Sequence, residues 1–109
     1  MVNLFKRAPR TPEPATPVPV PVTVTLIGKP GCHLCDDVRA VVERVAGETG
    51  AEVVELDLTA ADFDEALREK YWEQIPVTLV NGTQHDFWRV DPDRLRKAIA
   101  AAVTAARRG

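Results

Sequence analysis

The apolar positions change their period along this chain, and each change marks a new element. Val22-Thr23-Val24-Thr25-Leu26-Ile27 alternates and is rich in β-branched residues, which predicts a strand. Gly28-Lys29-Pro30-Gly31 has loop composition. From about Cys32 to Val45 the apolar residues are Leu34, Val38, Val41, Val42 and Val45, the spacing of one helix face. Gly47 is the expected stop. Glu52 to Leu58 predicts a second strand, and Asp62 to Tyr71 a helix with a thin stripe of Phe63, Ala66 and Leu67. Ile75-Pro76 interrupts the chain before a third strand, Val77 to Val80. Asn81-Gly82 is a hairpin signal, since both positions tolerate positive φ. It leads to a fourth strand from about His85 to Val90. Asp91-Pro92 opens the last helix, with Asp as N-cap and Pro in the first turn. Leu95, Ala98, Ile99, Ala102 and Val103 form its apolar face, and Arg107 and Arg108 complement its C-terminal dipole.

The order is β-α-β-α-β-β-α, an α/β pattern. A βαβ crossover is right-handed with parallel strands, and the Asn-Gly turn makes the last two strands antiparallel. A four-stranded mixed sheet with helices on both faces follows, over residues 22–106. Residues 1–21 stand apart, holding six of the nine prolines. Proline removes donors and fixes φ, so this stretch is expected to be an extended or disordered tail. Pro9-Arg10-Thr11-Pro12 and Pro14-Ala15-Thr16-Pro17 also fit P-x-x-P spacing, but a solvated tail is the simpler reading.

Composition narrows the partners. Net charge is −2, from 14 Lys+Arg against 16 Asp+Glu, which gives no support to a nucleic-acid or anionic-membrane partner. No apolar run approaches the ~20 residues of a membrane span. The first residues lack the ~7–15-residue apolar stretch of a secretory signal. A cytoplasmic monomer is therefore expected. In that compartment a structural disulfide is unusual, so a cysteine pair points to catalysis or metal binding.

The chain has two cysteines, in Cys32-His33-Leu34-Cys35, between the first strand and the first helix. Residues i and i+3 are neighbours on a helix, within the roughly 4.4–6.8 Å Cα separation that a disulfide needs. A lone C-x-x-C at such a junction reads as a dithiol redox centre. Three rivals use the same residues. Zinc wants four ligands, and Cys32, Cys35, His33 and His85 are the candidates, though they lie on different elements. An iron–sulfur cluster needs four thiolates, hence two chains or added glutathione. A non-enzymatic adaptor is the third, and the intact dithiol argues against it. Covalent haem attachment needs histidine directly after the second cysteine, where this chain has Asp36.

Thr25 to Cys35 (TLIGKPGCHLC), Ile75-Pro76-Val77, Asn81-Gly82 and the final helix together resemble the thioredoxin-fold superfamily, and more narrowly the glutaredoxin-like family of small bacterial proteins. The resemblance covers about residues 22–104. It implies a thiol–disulfide oxidoreductase that reduces protein or small-molecule disulfides. Cys32 matches the attacking cysteine and Cys35 the resolving one. Pro76 matches the family's cis-proline, and Lys29 a basic residue three positions before the first cysteine. Lys29, His33, Leu34, Ile75 and Pro76 are thereby implied as the substrate groove. No cofactor is implied as tightly bound; glutathione or another low-molecular-weight thiol, or a reductase, is implied as the reductant. Asp91 and Asp93 match the acidic positions that meet glutathione. The chain departs from the family at Gln74-Ile75, in place of Thr-Val, and at Arg89-Val90, in place of Gly-Gly. Both replaced segments help to hold glutathione in the family.

Disulfide exchange requires a thiolate. The helix N-terminus and Lys29 favour ionised Cys32, and His33 adds partial charge below pH ~6.5. Asp36 and Asp37 oppose it. The expected pKa is below the free value of about 8.5 and near the top of the ~3.5–7.5 range of activated thiols. Trp72 and Trp88 are expected as packing residues, and His85 as a solvent-facing strand residue. Asp57, Asp62, Asp64 and Glu65 are expected on loop and helix surface.

Overall fold

The computed structural model describes residues 22–108; the proline-rich stretch lies outside the described residues. Seven elements follow the expected order: β1 (Thr23–Gly28), α1 (His33–Thr49), β2 (Glu52–Asp57), α2 (Glu65–Tyr71), β3 (Val77–Val80), β4 (Thr83–Phe87) and α3 (Pro92–Arg108). The sheet order is β2-β1-β3-β4. β1 runs parallel to β2 and antiparallel to β3, and β3 and β4 form the Asn81-Gly82 hairpin. Asn81 and Gly82 take φ of 49° and 83°, the left-handed pair that a two-residue hairpin turn demands.

Two apolar layers hold the sheet. On one face Val22, Val24 and Leu26 meet Val38, Val42 and Val45 of α1 and Leu95 and Ile99 of α3. On the other, Ile27 and Val77 pack with Leu58 and Tyr71. The alternation of β1 thus divides the core. α1 and α3 share one face, and α2 closes the other through Tyr71.

Several element ends differ from expectation. Gly47 does not stop α1, because an interior glycine weakens a helix without breaking it. The helix runs on to Thr49, and Gly50 ends it at φ 80°, its N–H donating to the Ala46 carbonyl at 2.8 Å. The second helix starts at Glu65, three residues later than expected, because Asp64 is its N-cap: the carboxylate accepts from Leu67 N–H at 3.0 Å. Phe63 therefore precedes the helix, and Leu67 is exposed while Tyr71 is buried. β4 begins at Thr83, directly after the turn, and ends at Phe87, where Trp88 takes a φ of 65°.

The turn from β2 to α2 is clamped by one side chain. Arg68 donates from Nε to the Leu58 carbonyl at 2.9 Å and from Nη2 to the Ala60 carbonyl at 2.7 Å, and also pairs with Glu65. Arg68→Ala leaves both carbonyls without their charged donor and is expected to cost about 1.5–3 kcal/mol. Urea unfolding checks this; an unchanged midpoint would mean that water replaces the guanidinium at no cost.

Candidate functional site

Cys32 caps α1. Its backbone is extended (φ −97°, ψ 110°), and its Sγ accepts the N–H of Cys35 at 3.1 Å. The Cys32 carbonyl accepts the Asp36 N–H at 3.1 Å. A sulfur placed as N-cap faces the unsatisfied amides and positive dipole end of a 17-residue helix, which favour the thiolate over the thiol. Cys35 lies one turn on and is 1% exposed, whereas Cys32 is partly open to solvent. Their Cα atoms are 5.1 Å apart and their sulfurs are joined in a disulfide. One cysteine is presented and its mate is sheltered directly behind it.

Gly28 makes that shelter possible. A Cβ on this residue would stand 2.8 Å from Cys35 Sγ and 3.3 Å from Cys35 Cβ. From the pattern Gly28 looks like a loop residue, yet it is the last residue of β1, paired with Asp57. A glycine closing a strand ahead of a functional loop is the available signal for such a close approach.

Val77 pairs with Ile27, so Pro76 sits at the carboxyl end of β1, the same end of the sheet as the dithiol. The Ile75–Pro76 peptide is cis, as the resemblance implies. Pro76 is buried, and Ile75 packs half-buried against the Tyr71 cluster. His33 and Leu34 are the exposed first residues of α1. Lys29 is exposed, with Nζ 5.9 Å from the centre of the Trp72 ring, so the loops after β1 and α2 meet there through a cation–π contact.

The charges around α1 differ from expectation. Asp36 is not a free carboxylate beside the thiol. Arg39 pairs with it at 2.7 Å and with Glu55 of β2 at 2.7 Å. These two carboxylates raise the Arg39 pKa further above its ordinary value. The i,i+3 geometry brings a cation onto Asp36, which offsets its repulsion of Cys32.

Trp72 and Trp88 are not packing residues: they are 51% and 52% exposed. Both fall in connections beyond the ends of their elements, where no layer covers them. Leu34 and Phe87 are also exposed, at 44% and 41%. Beside the C-x-x-C turn a groove of about 350 Å³ runs between α1 and the β4–α3 connection, lined by Leu34, Asp37, Val38, Val41 and Trp88–Val90. Its far wall carries no simple sequence signal, since Trp88 enters it only through the bend of the backbone.

His85 is not solvent-facing. It is half-buried in β4, and its enclosed Nε2 has no hydrogen-bond partner among the described residues. Burial pushes its pKa down; the Arg94 charge adds to this, and Asp86 partly opposes it. A histidine whose folded pKa lies below its unfolded value binds fewer protons folded than unfolded. Its contribution is intact above the unfolded pKa of about 6.5 and is lost as pH falls below it. The melting temperature is expected to fall as pH drops from 7 toward 5, and His85→Gln to flatten that slope. Equal slopes in the two proteins would refute this.

Asp91 and Asp93 are both engaged. Asp91 caps α3, its Oδ2 accepting Arg94 N–H at 2.8 Å, and Asp93 pairs with Arg96 at 2.7 Å. Arg96 also ties α3 to α1 through Glu48 at 2.7 Å. Among the described residues no three His, Cys, Asp or Glu side chains gather as a metal site, so the structure does not bring His33 and His85 to the cysteine pair. Among the same residues no helix is long and apolar enough to cross a membrane.

This geometry has relatives. The model of the glutaredoxin-like domain family (DUF836) matches residues 23–100. The chain belongs to this family. An uncharacterized protein of Mycobacterium tuberculosis is 32% identical over 79 residues, which cover 71% of this chain and 81% of that protein. A structural-genomics target protein from X. campestris superposes with a TM-score of 0.56 at 26% identity, over 72% of this glutaredoxin-like chain and 96% of that one. A mutant thioredoxin from Halobacterium salinarum superposes at 0.54 with 26% identity, covering 73% of each chain. The glutaredoxin-like domain therefore has a thioredoxin-like fold, and its dithiol lies within the family match.

Proposed function

We propose that this protein is a thiol–disulfide oxidoreductase that reduces protein or small-molecule disulfides. The observation that carries the reading is the Cys32–Cys35 pair itself, with a partly exposed Cys32 at the helix N-cap and a buried Cys35 bonded to it. The thioredoxin named above and the family match support it.

The cycle balances as follows. The Cys32 thiolate attacks a substrate disulfide, bonds to one sulfur and releases the other as a thiolate. The Cys35 thiolate then attacks Cys32 Sγ, closes the Cys32–Cys35 disulfide and releases the second substrate thiolate. The substrate gains two electrons and the protein loses two. An external donor, either a low-molecular-weight thiol such as glutathione or a reductase, returns them. The chain's own part is to hold Cys32 ionised at the helix end and Cys35 within bonding distance.

Reduced protein, freed of reductant and mixed with bis(2-hydroxyethyl) disulfide, tests this. Two thiols should appear for each chain, and the chain should lose the mass of two hydrogens. A folded protein that keeps both thiols under these conditions overturns the reading.

A further inference from the structure

We infer that the groove between α1 and the β4–α3 connection selects polypeptide disulfides carrying a bulky apolar residue next to the reacting cysteine, and that Trp88 determines this preference. The inference rests on the proposed activity and adds a substrate class to it.

Trp88 is held in place at a conformational cost. Its φ is 65°, a region that a bulky side chain rarely enters. The Arg89 N–H donates to the Phe87 carbonyl at 2.7 Å across it, so Trp88 is the centre of a γ-turn of the rare, strained hand. Two further bonds fix it. Its own N–H donates to the Pro76 carbonyl at 2.8 Å, and its indole Nε1–H donates to the Glu73 carbonyl at 3.0 Å. Phe87 braces the ring edge-on, 5.0 Å between centroids. The result is not burial, because half of Trp88 faces solvent. Backbone strain at a residue that stays exposed points to a functional role for it, and tryptophan is a residue on which recognition surfaces concentrate their binding energy.

The groove's position and lining name the occupant. Leu34, two residues after Cys32, lines one wall of the groove, and Trp88 on the other wall is bonded through its N–H to the Pro76 carbonyl, so both walls are anchored at the end of the sheet that carries the dithiol. The floor is Val38 and Val41, and the rim holds one acid and one base, Asp37 and Arg89. Opposite charges on one rim give no preference for a charged side chain, and the apolar floor favours an aliphatic or aromatic one. At about 350 Å³ the space is at the small end of ligand pockets, which run ~300–1,000 Å³. It accepts a side chain rather than a large cofactor.

Two symmetric peptide disulfides, the dimers of N-acetyl-Leu-Cys-Ala-amide and N-acetyl-Ser-Cys-Ala-amide, provide the test. The reduced protein should react about tenfold faster with the leucine peptide, as expected for covering one aliphatic side chain. Trp88→Gly suits the φ of 65° and removes the indole. It should bring the leucine-to-serine ratio near one, a readout that cancels any loss common to both peptides. Trp88→Phe should keep the ratio within about twofold of wild type. Leu34→Asn, on the opposite wall, should also lower the ratio. A wild-type ratio near one with both peptides reduced overturns the groove assignment and leaves the oxidoreductase standing. So does a ratio that survives Trp88→Gly, or oxidised glutathione reacting as fast as the leucine peptide. If bis(2-hydroxyethyl) disulfide is not reduced either, both readings fall.

Discussion

Cys32→Ser is expected to slow disulfide reduction by on the order of 10³-fold or more, to the uncatalysed background. The hydroxyl that replaces the thiol stays protonated at neutral pH, so the helix N-terminus has no anion to stabilise and no nucleophile to present. Cys35 does not rescue the reaction, because at 1% exposure it cannot meet a substrate sulfur. Cys35→Ser should behave differently. The first attack proceeds, and the second has no thiolate to complete it, so a mixed disulfide accumulates on Cys32. Mass spectrometry of the two variants after exposure to bis(2-hydroxyethyl) disulfide distinguishes them: no adduct on Cys32→Ser, one adduct on Cys35→Ser. An adduct on Cys32→Ser would reverse the assigned order of attack.

Gly28→Ala is expected to destabilise the fold by about 1–3 kcal/mol, the usual cost of inserting a carbon into a packed interior. The added Cβ would stand 2.8 Å from Cys35 Sγ, closer than real contacts permit, and neither side can yield cheaply. Gly28 is held in the ladder opposite Asp57, and its carbonyl accepts Leu58 N–H at 2.8 Å. Cys35 is held by the helix and by its bond to Cys32. For a domain of this size each kcal/mol moves the melting temperature by about 4–8 °C, so a drop of several degrees is expected in thermal unfolding. The substitution also pushes Cys35 away from its resolving position. Mixed-disulfide intermediates should therefore live longer than in wild type during single turnover. An unchanged melting temperature would show that the strand end and the buried sulfur are not in close contact.

Much of the architecture is local in origin, and local patterns carry it. Val24 and Leu26 alternate with threonines, Val38, Val42 and Val45 recur at helical spacing, and Asn81-Gly82 permits a turn that few other pairs allow. Boundaries were less legible where tertiary contacts set them. α1 passes through Gly47, which keeps a negative φ, and Gly50 takes the left-handed cap instead. α2 waits for Asp64 because Arg68 gathers the Leu58 and Ala60 carbonyls into a separate turn. At the site, Cys32 and Cys35 were evident from spacing. The Arg39 bridge from Asp36 to Glu55 was not, since it joins a helix to a strand that only the crossover makes adjacent.

The order of strands and helices, the apolar faces of β1, α1 and α3 and the paired cysteines were determined by the sequence alone, because each depends on residues a few positions apart. The strand order β2-β1-β3-β4, the contact of Gly28 with Cys35, the half-burial of His85 and the outward hold on Trp88 were decided only by the tertiary structure. Each of these joins segments distant in the chain, and no local pattern encodes which distant carbonyl, sulfur or ring will arrive at a given face once the sheet has closed.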